Sequence, residues 1–230
     1  MKKAIPILII LVCIVTTSAY SQHKPFVFGF KIAPNLGWFK ANTDGYENVG
    51  TTPGFAWGFI AEFHLMEHYA IGTGFNVLYL NAKLNYPYRQ IANGDTMTGV
   101  MERRYHLKYI EVPLVLKMET RVFGKFKFFG QIGLGTSFLI DAKADDVFVY
   151  GENTSKEDKV NIYDDIRFIR ESLILGVGAE FIIEGSTLVF AGVNFDNGFT
   201  NILKGNNTVD PSISQRANAN FIEFQIGMLF

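Results

Sequence analysis

Six charged residues stand where an apolar neighbourhood would make them costly: Lys31, Glu62, Glu111, Lys117, Glu180 and Glu223. Each falls in a segment whose residues alternate with period two, and each lies on the less apolar of the two faces so defined. Buried charge is tolerated when it is paired, so these side chains should form ion pairs and hydrogen-bonded networks across a narrow interior. Plugging that interior is their expected role, and a gated path for ions or protons is the functional alternative. Because glutamates outnumber lysines in the set, Lys31 is expected to be a shared partner.

Other residue types give weaker chemical signals. His23, His64, His68 and His106 sit in no recognisable nucleophile or metal motif, and His64 and His68, four apart on a strand and turn, do not share a face. Gly72-x-Gly74, Gly133-x-Gly135 and Gly176-x-Gly178 lack the strand-to-helix turn of a phosphate-binding loop, since the alternation runs on through each pair. Glycine at every second position instead clears space on one face. Between Asp141 and Asp165 acids outnumber lysines, but no spacing matches a calcium loop, and a solvated loop is the plain expectation. The residues therefore predict no enzyme, no cofactor and no metal.

The elements that would position the six charges are strands. Period-two alternation runs past the ~5–6 residues of an ordinary soluble strand. Eight such segments are expected, at about 26–39, 54–65, 69–84, 105–120, 126–140, 166–183, 187–199 and 217–230. Three connections are tight, at 66–68, 121–125 and 184–186, and they alternate with long polar ones at 40–53, 85–104, 141–165 and 200–216. That rhythm fits an antiparallel barrel in an outer membrane, with short periplasmic turns and free extracellular loops. A soluble barrel alternates too, but its outer face should be charged. In the fifth segment one face reads Gln131, Gly133, Gly135, Ser137 and the other Phe128, Gly130, Ile132, Leu134, Thr136, Phe138, Ile140, which suits a crowded lumen and a lipid surface. Trp38, Trp57, Tyr69, Tyr79 and Tyr109 fall near strand ends, as an interfacial girdle would. Pro113 lacks a ladder N–H, so a bulge or a local break in pairing is expected there.

Composition agrees. The 230 residues are 48% hydrophobic, 15% aromatic and 19% charged, which excludes disorder, and the net charge of −1 offers no basic surface for nucleic acid. Met1-Lys2-Lys3, the apolar run from Ala4 to Val15 and the small residues Ala19 and Ser21 read as a signal peptide, residues 1–21, cleaved after Ser21 and taking Cys13 with it. Residues 22–230 then form one all-β domain, a single eight-stranded antiparallel transmembrane barrel with both termini periplasmic.

Several segments resemble the outer-membrane β-barrel domain of Bacteroidota-type bacteria, the group that includes the PorT proteins of type IX secretion. Tyr109-Ile110-Glu111-Val112-Pro113-Leu114 is similar to its fourth-strand motif, Gly198-Phe199-Thr200-Asn201-Ile202 to the turn after its seventh strand, and Gly29-Phe30-Lys31 through Asn35 to its first strand. The resemblance implies that Pro113 is tolerated in this fold. It also implies either an accessory of type IX secretion or gliding, with secretion-system proteins as partners, or a structural or small-solute barrel with no secretion role. A lipid-modifying barrel enzyme is the remaining alternative. The last strand, with Ile222, Phe224, Ile226, Met228 and the terminal Phe230 on one face, resembles the signal by which the barrel-assembly machinery recognises its clients. Outer-membrane lipid and that machinery are the expected partners.

Overall fold

A computed structural model describes residues 25–92, 95–184 and 187–230, so the signal segment, Cys13 and His23 lie outside the described residues. The strands are β1 (Phe26–Ala41), β2 (Glu47–Met66), β3 (Tyr69–Ala92), β4 (Asp95–Glu119), β5 (Phe126–Tyr150), β6 (Asn153–Asn161), β7 (Ile169–Glu184), β8 (Thr187–Gly198) and β9 (Ala217–Leu229), with one 3-10 turn at Tyr163–Asp165. All ladders are antiparallel, and β1 pairs with both β2 and β9. The β4–β5 pairing closes the ring, so eight strands form the barrel as expected, and β6 is an addition that pairs with the outer part of β5.

Closure is what a membrane demands, because it leaves no unpaired strand edge facing lipid. Outside, β1 presents Phe26, Phe28, Phe30, Ile32 and Leu36, while Val27, Lys31, Ala33 and Asn35 turn inward and are buried. The same alternation places Phe59 and Phe63 outside and Glu62 inside on β2, and Phe224 and Ile226 outside and Glu223 inside on β9. Tyr109 departs from its expected place in the girdle: it shares the parity of Glu111 and is fully buried inside the barrel.

Crossing a bilayer takes ~9–11 tilted residues, yet β3 has 24, and β4 and β5 have 25 each. The excess lies at the long-loop end. Most of 47–53, 85–104 and 141–161, expected as polar loops, therefore belongs to strands that continue the barrel wall beyond the membrane. The reason is visible on β5, where Ala142, Ala144 and Phe148 turn inward while Asp141, Lys143 and Asp145 face out. In lipid the outward residues are apolar; above it, past a bulge that leaves Ile140 unpaired and shifts the phase by one residue, the period-two alternation resumes with polar ones.

Pairing fails at Pro113 as expected. Thr73 pairs with Leu114 and Asn76 with Glu111 in one unbroken register, while the two steps between them form no ladder. Proline has no N–H to give β3, and the Pro113 carbonyl accepts from the Thr73 hydroxyl at 2.9 Å where the ladder N–H is missing. Gly74, opposite, adopts φ +147°, and a Cβ there would collide with the Phe59 carbonyl.

Candidate functional site

The barrel interior is stratified. At the long-loop end a broad apolar core includes Phe39, Leu80, Leu84, Tyr105, Leu107, Phe148 and Phe221, and Ile162, Ile166, Ile202 and Leu203 from the connections fold onto it. Near the short-turn end a smaller cluster joins Val27, Phe129, Phe190 and Leu229. Polar side chains fill the layer below the large core and share ladder rows with the smaller cluster, Val27 facing Glu62, Phe129 facing Glu119 and Phe190 facing Glu180.

All six of the charged residues expected inside are there and buried. Lys117 is the hub: its ammonium donates to Glu62 at 2.8 Å and to Glu180, lies 3.4 Å from Glu119, and sits 4.9 Å above the Phe129 ring. Lys31 donates to Glu223 at 2.6 Å and among the described residues has no second carboxylate within 4 Å, so the shared cation is Lys117 rather than Lys31. Parity along a strand places a side chain inside; it does not say which side chains meet across the lumen. Glu223 also accepts from Asn194 at 2.8 Å, and Glu111 accepts from Asn76 at 3.0 Å. The second Glu111 oxygen has no hydrogen bond and lies 4.0 Å from the Arg170 guanidinium.

Arg170 and Asp196 are members of the layer that sequence reading missed. Arg170 is wholly buried and donates to Asp196 and, at 2.9 Å, to the Ala219 carbonyl, while Ser172 donates to Asp196 at 2.8 Å. Their signal was parity: Arg170 and Ser172 share the face of Glu180, and Asp196 shares that of Asn194. Glycines make the room, since a Cβ at Gly72 would press on Val115 and one at Gly176 on Asn194 and Gln131.

Among the described residues a cavity of about 60 Å³ is bordered by Lys31, Glu62, Glu111, Lys117, Asp196 and Glu223. That is room for a few waters, not for a column of them. Glu62, His64 and Glu119 could bring ligand atoms within 4.8 Å of one another, but Lys117 and Lys127 already supply positive charge there, the latter at 3.0 Å from Glu119. The other described histidines form no catalytic constellation; His106 faces outward between Asn81 at 3.2 Å and Asp145 at 3.0 Å. Beyond the membrane, Arg103 holds Asp146 with two bonds of 2.7 and 2.6 Å, and those bonds with neighbouring charges raise its pKa against the effect of burial. Burial pushes the nearby Tyr46 phenol up to about 12.

An apolar exterior, a closed eight-strand ring and a packed lumen describe an integral barrel, and residues 19–204 match the family model for the outer membrane protein beta-barrel domain. The chain belongs to that family. This outer-membrane barrel is similar to the solved Neisserial surface protein A (NspA) at TM-score 0.51 and 9% identity, covering 90% of this chain and 96% of that one. It is also similar to OprG from Pseudomonas aeruginosa (TM-score 0.46, 10% identity, 89% and 93% covered). A third likeness is to Ail, the attachment invasion locus protein of Yersinia pestis (TM-score 0.40, 14% identity, 90% and 100% covered). At these identities the likeness concerns the fold. A search of curated proteins finds no match. The residues Ile222, Phe224, Ile226, Met228 and Phe230 of the last strand lie on its outward side, and the Phe230 N–H donates to the Phe28 carbonyl at 2.8 Å where β9 meets β1.

Proposed function

We propose that this outer-membrane barrel is a non-conducting, non-enzymatic scaffold that serves protein secretion or gliding in the manner the PorT resemblance implies. The observation that carries the reading is the sealed lumen: the apolar core of the long-loop end lies above a polar layer cross-linked by Lys117, Lys31 and Arg170. A barrel so filled offers no path for solutes, and its working surfaces are then its ends. The β3–β4 and β5–β6 hairpins extend the wall past the membrane and supply a rigid extracellular surface. The Tyr109–Leu114 and Gly198–Ile202 motifs are those of the barrel family at large, and the secretion role rests on the PorT branch within that resemblance.

The test is a clean deletion in the source organism, with mass spectrometry of medium and periplasm for type IX cargo. Cargo trapped in the periplasm and released by complementation is the expected result. Normal secretion would refute the secretion role and leave a structural barrel. Stepwise single-channel currents from the purified protein in planar bilayers would refute the sealed-lumen reading independently.

A further inference from the structure

The charges inside the barrel fall into two groups by contact, and one of them does not balance. Toward the short turns Glu62, Glu119 and Glu180 gather around Lys117 and Lys127, with the His64 imidazole 3.6 Å from Glu119. In the second group Glu111, Asp196 and Glu223 share only Lys31 and Arg170. Among the described residues no third cation lies within 4.0 Å of these three carboxylates. The second group is therefore one positive charge short.

The deficit falls on Glu111. Arg170 gives its donors to Asp196 and the Ala219 carbonyl, and Lys31 donates to Glu223. Glu111 accepts from Asn76 at 3.0 Å on one oxygen, while its other oxygen has no hydrogen-bond partner among the described residues. The side chain is buried and borders the lumen cavity of about 60 Å³. An unpaired buried charge is too costly to stand alone. A proton would cancel the charge without satisfying the bonding, because the groups facing the two oxygens, the Asn76 amide and the Arg170 guanidinium at 4.0 Å, are donors. An added O–H would point at no acceptor, itself a buried unsatisfied group.

The cavity offers what a small cation needs instead. Gln131 and Gln225 spend their amide nitrogens on the Asn194 carbonyl, at 2.7 and 3.3 Å, and Glu223 takes both of its hydrogen bonds on one oxygen. Two amide carbonyls and a second carboxylate oxygen are left, and all three side chains border the same cavity as Glu111. Carboxylate, amide and water oxygens are hard ligands, suited to ions that bind through oxygen alone. One water needs ~10–15 Å³ measured this way, so the space holds an ion with a water or two. A deficit of one charge, beside two cations that stay, selects a monovalent ion over a divalent one.

We infer that the lumen cavity beside Glu111 is a binding site for one alkali-metal cation, sodium or potassium, with Glu111 as its charged ligand. The ion completes the charge balance of the second group and is held rather than passed through. The site rests on the closed lumen proposed above and is independent of secretion. Channel currents would refute the closed lumen, whereas the outcomes below bear on the ion alone.

The test is urea unfolding of the purified barrel in uncharged detergent at fixed pH and ionic strength, with sodium, potassium or N-methyl-D-glucamine as the cation. The last is too bulky for the cavity. Wild type should be more stable in sodium or potassium, and once the site is saturated each tenfold rise in that ion should raise the folded-to-unfolded ratio about tenfold. Glu111→Gln should lose this dependence and, in N-methyl-D-glucamine, be at least as stable as wild type. Asp164→Asn, an exposed acid of the 3-10 turn, should keep it. Thallium(I), a potassium mimic, soaked into wild-type crystals should give an anomalous peak in the cavity beside Glu111, a readout that needs no variant to fold. The inference is overturned if wild type unfolds alike with all three cations, if Glu111→Gln keeps the dependence, if Asp164→Asn loses it, or if the cavity shows no thallium peak. It is overturned in favour of a proton if wild-type infrared spectra show a protonated-carboxyl band that Glu111→Gln removes.

Discussion

Replacing Lys117 by methionine removes the cation around which three carboxylates gather in the membrane-embedded lumen. Lys117 is 3% exposed, Glu62 and Glu180 both accept its protons, and Glu119 is 3.4 Å away. Glu119 keeps Lys127 at 3.0 Å, but Glu62 and Glu180 have no other cation among their described ion pairs. Removing one partner of a buried pair costs about 3–5 kcal/mol, because the survivor is left charged and undersolvated. Lys117→Met should therefore lose about that much stability in urea unfolding of the detergent- or lipid-folded barrel, followed by the shift between folded and unfolded bands in gels run without boiling. Replacing a whole buried cluster by neutral groups is often neutral, so Lys117→Met/Glu62→Gln/Glu180→Gln should recover most of the loss. If the single variant costs no more than about 1 kcal/mol, the network is solvated as a surface pair would be, and the sealed-lumen argument fails. It fails equally if the triple variant is no better than the single one.

Three further outcomes follow from the same structure. Thr73→Val should cost about 1–3 kcal/mol in the same unfolding assay, since it strips the Pro113 carbonyl of its donor where no ladder N–H replaces it; a neutral result would mean the gap is wet. The pKa of Asp145 is lowered by the Lys159 N–H and by His106, so its contribution to holding β6 against β5 is full above the unfolded carboxylate range. That contribution should fade as pH falls through the lowered value, and protease nicking near Gly151 should rise in acid for wild type and be pH-independent in Asp145→Asn. Deleting Phe230 should lower the amount of assembled barrel in outer-membrane fractions, and an unchanged level would count against the last strand as an assembly signal.

Period-two parity made the ring legible in sequence, and with it the inward placement of Lys31, Glu62, Glu111, Lys117, Glu180 and Glu223. Parity is a property of one strand, whereas partnership across a lumen depends on tilt and stagger that no single strand records. That is why Lys117 rather than Lys31 proved to be the hub, and why Arg170, close to a strand end, was passed over despite its parity with Glu180. The extracellular strands were missed for a different reason. Ala142, Ala144 and Phe148 alternate with Asp141, Lys143 and Asp145, but out of phase with Ser137 and Leu139 across the bulge at Ile140, and polar outward residues read as a loop.

The stratified interior also explains why a chain with so many buried charges is a poor candidate for a channel. A conducting barrel needs polar groups continuous from end to end, loosely enough held to exchange partners with ions and water. Here the charged layer is interrupted at the long-loop end by the core around Leu80, Leu107 and Phe221, while Val27, Phe129 and Phe190 stand among the charges at the other end. Within it most carboxylates are committed to a lysine, an arginine or an amide. The charges therefore act as cross-links between strands that are distant in sequence, such as Lys31 to Glu223 and Lys117 to Glu62 and Glu180, fixing the cross-section of the barrel. Rigidity of that kind benefits a barrel whose function is carried by its ends, where the wall continues 10 or more residues past the bilayer along β3, β4 and β5.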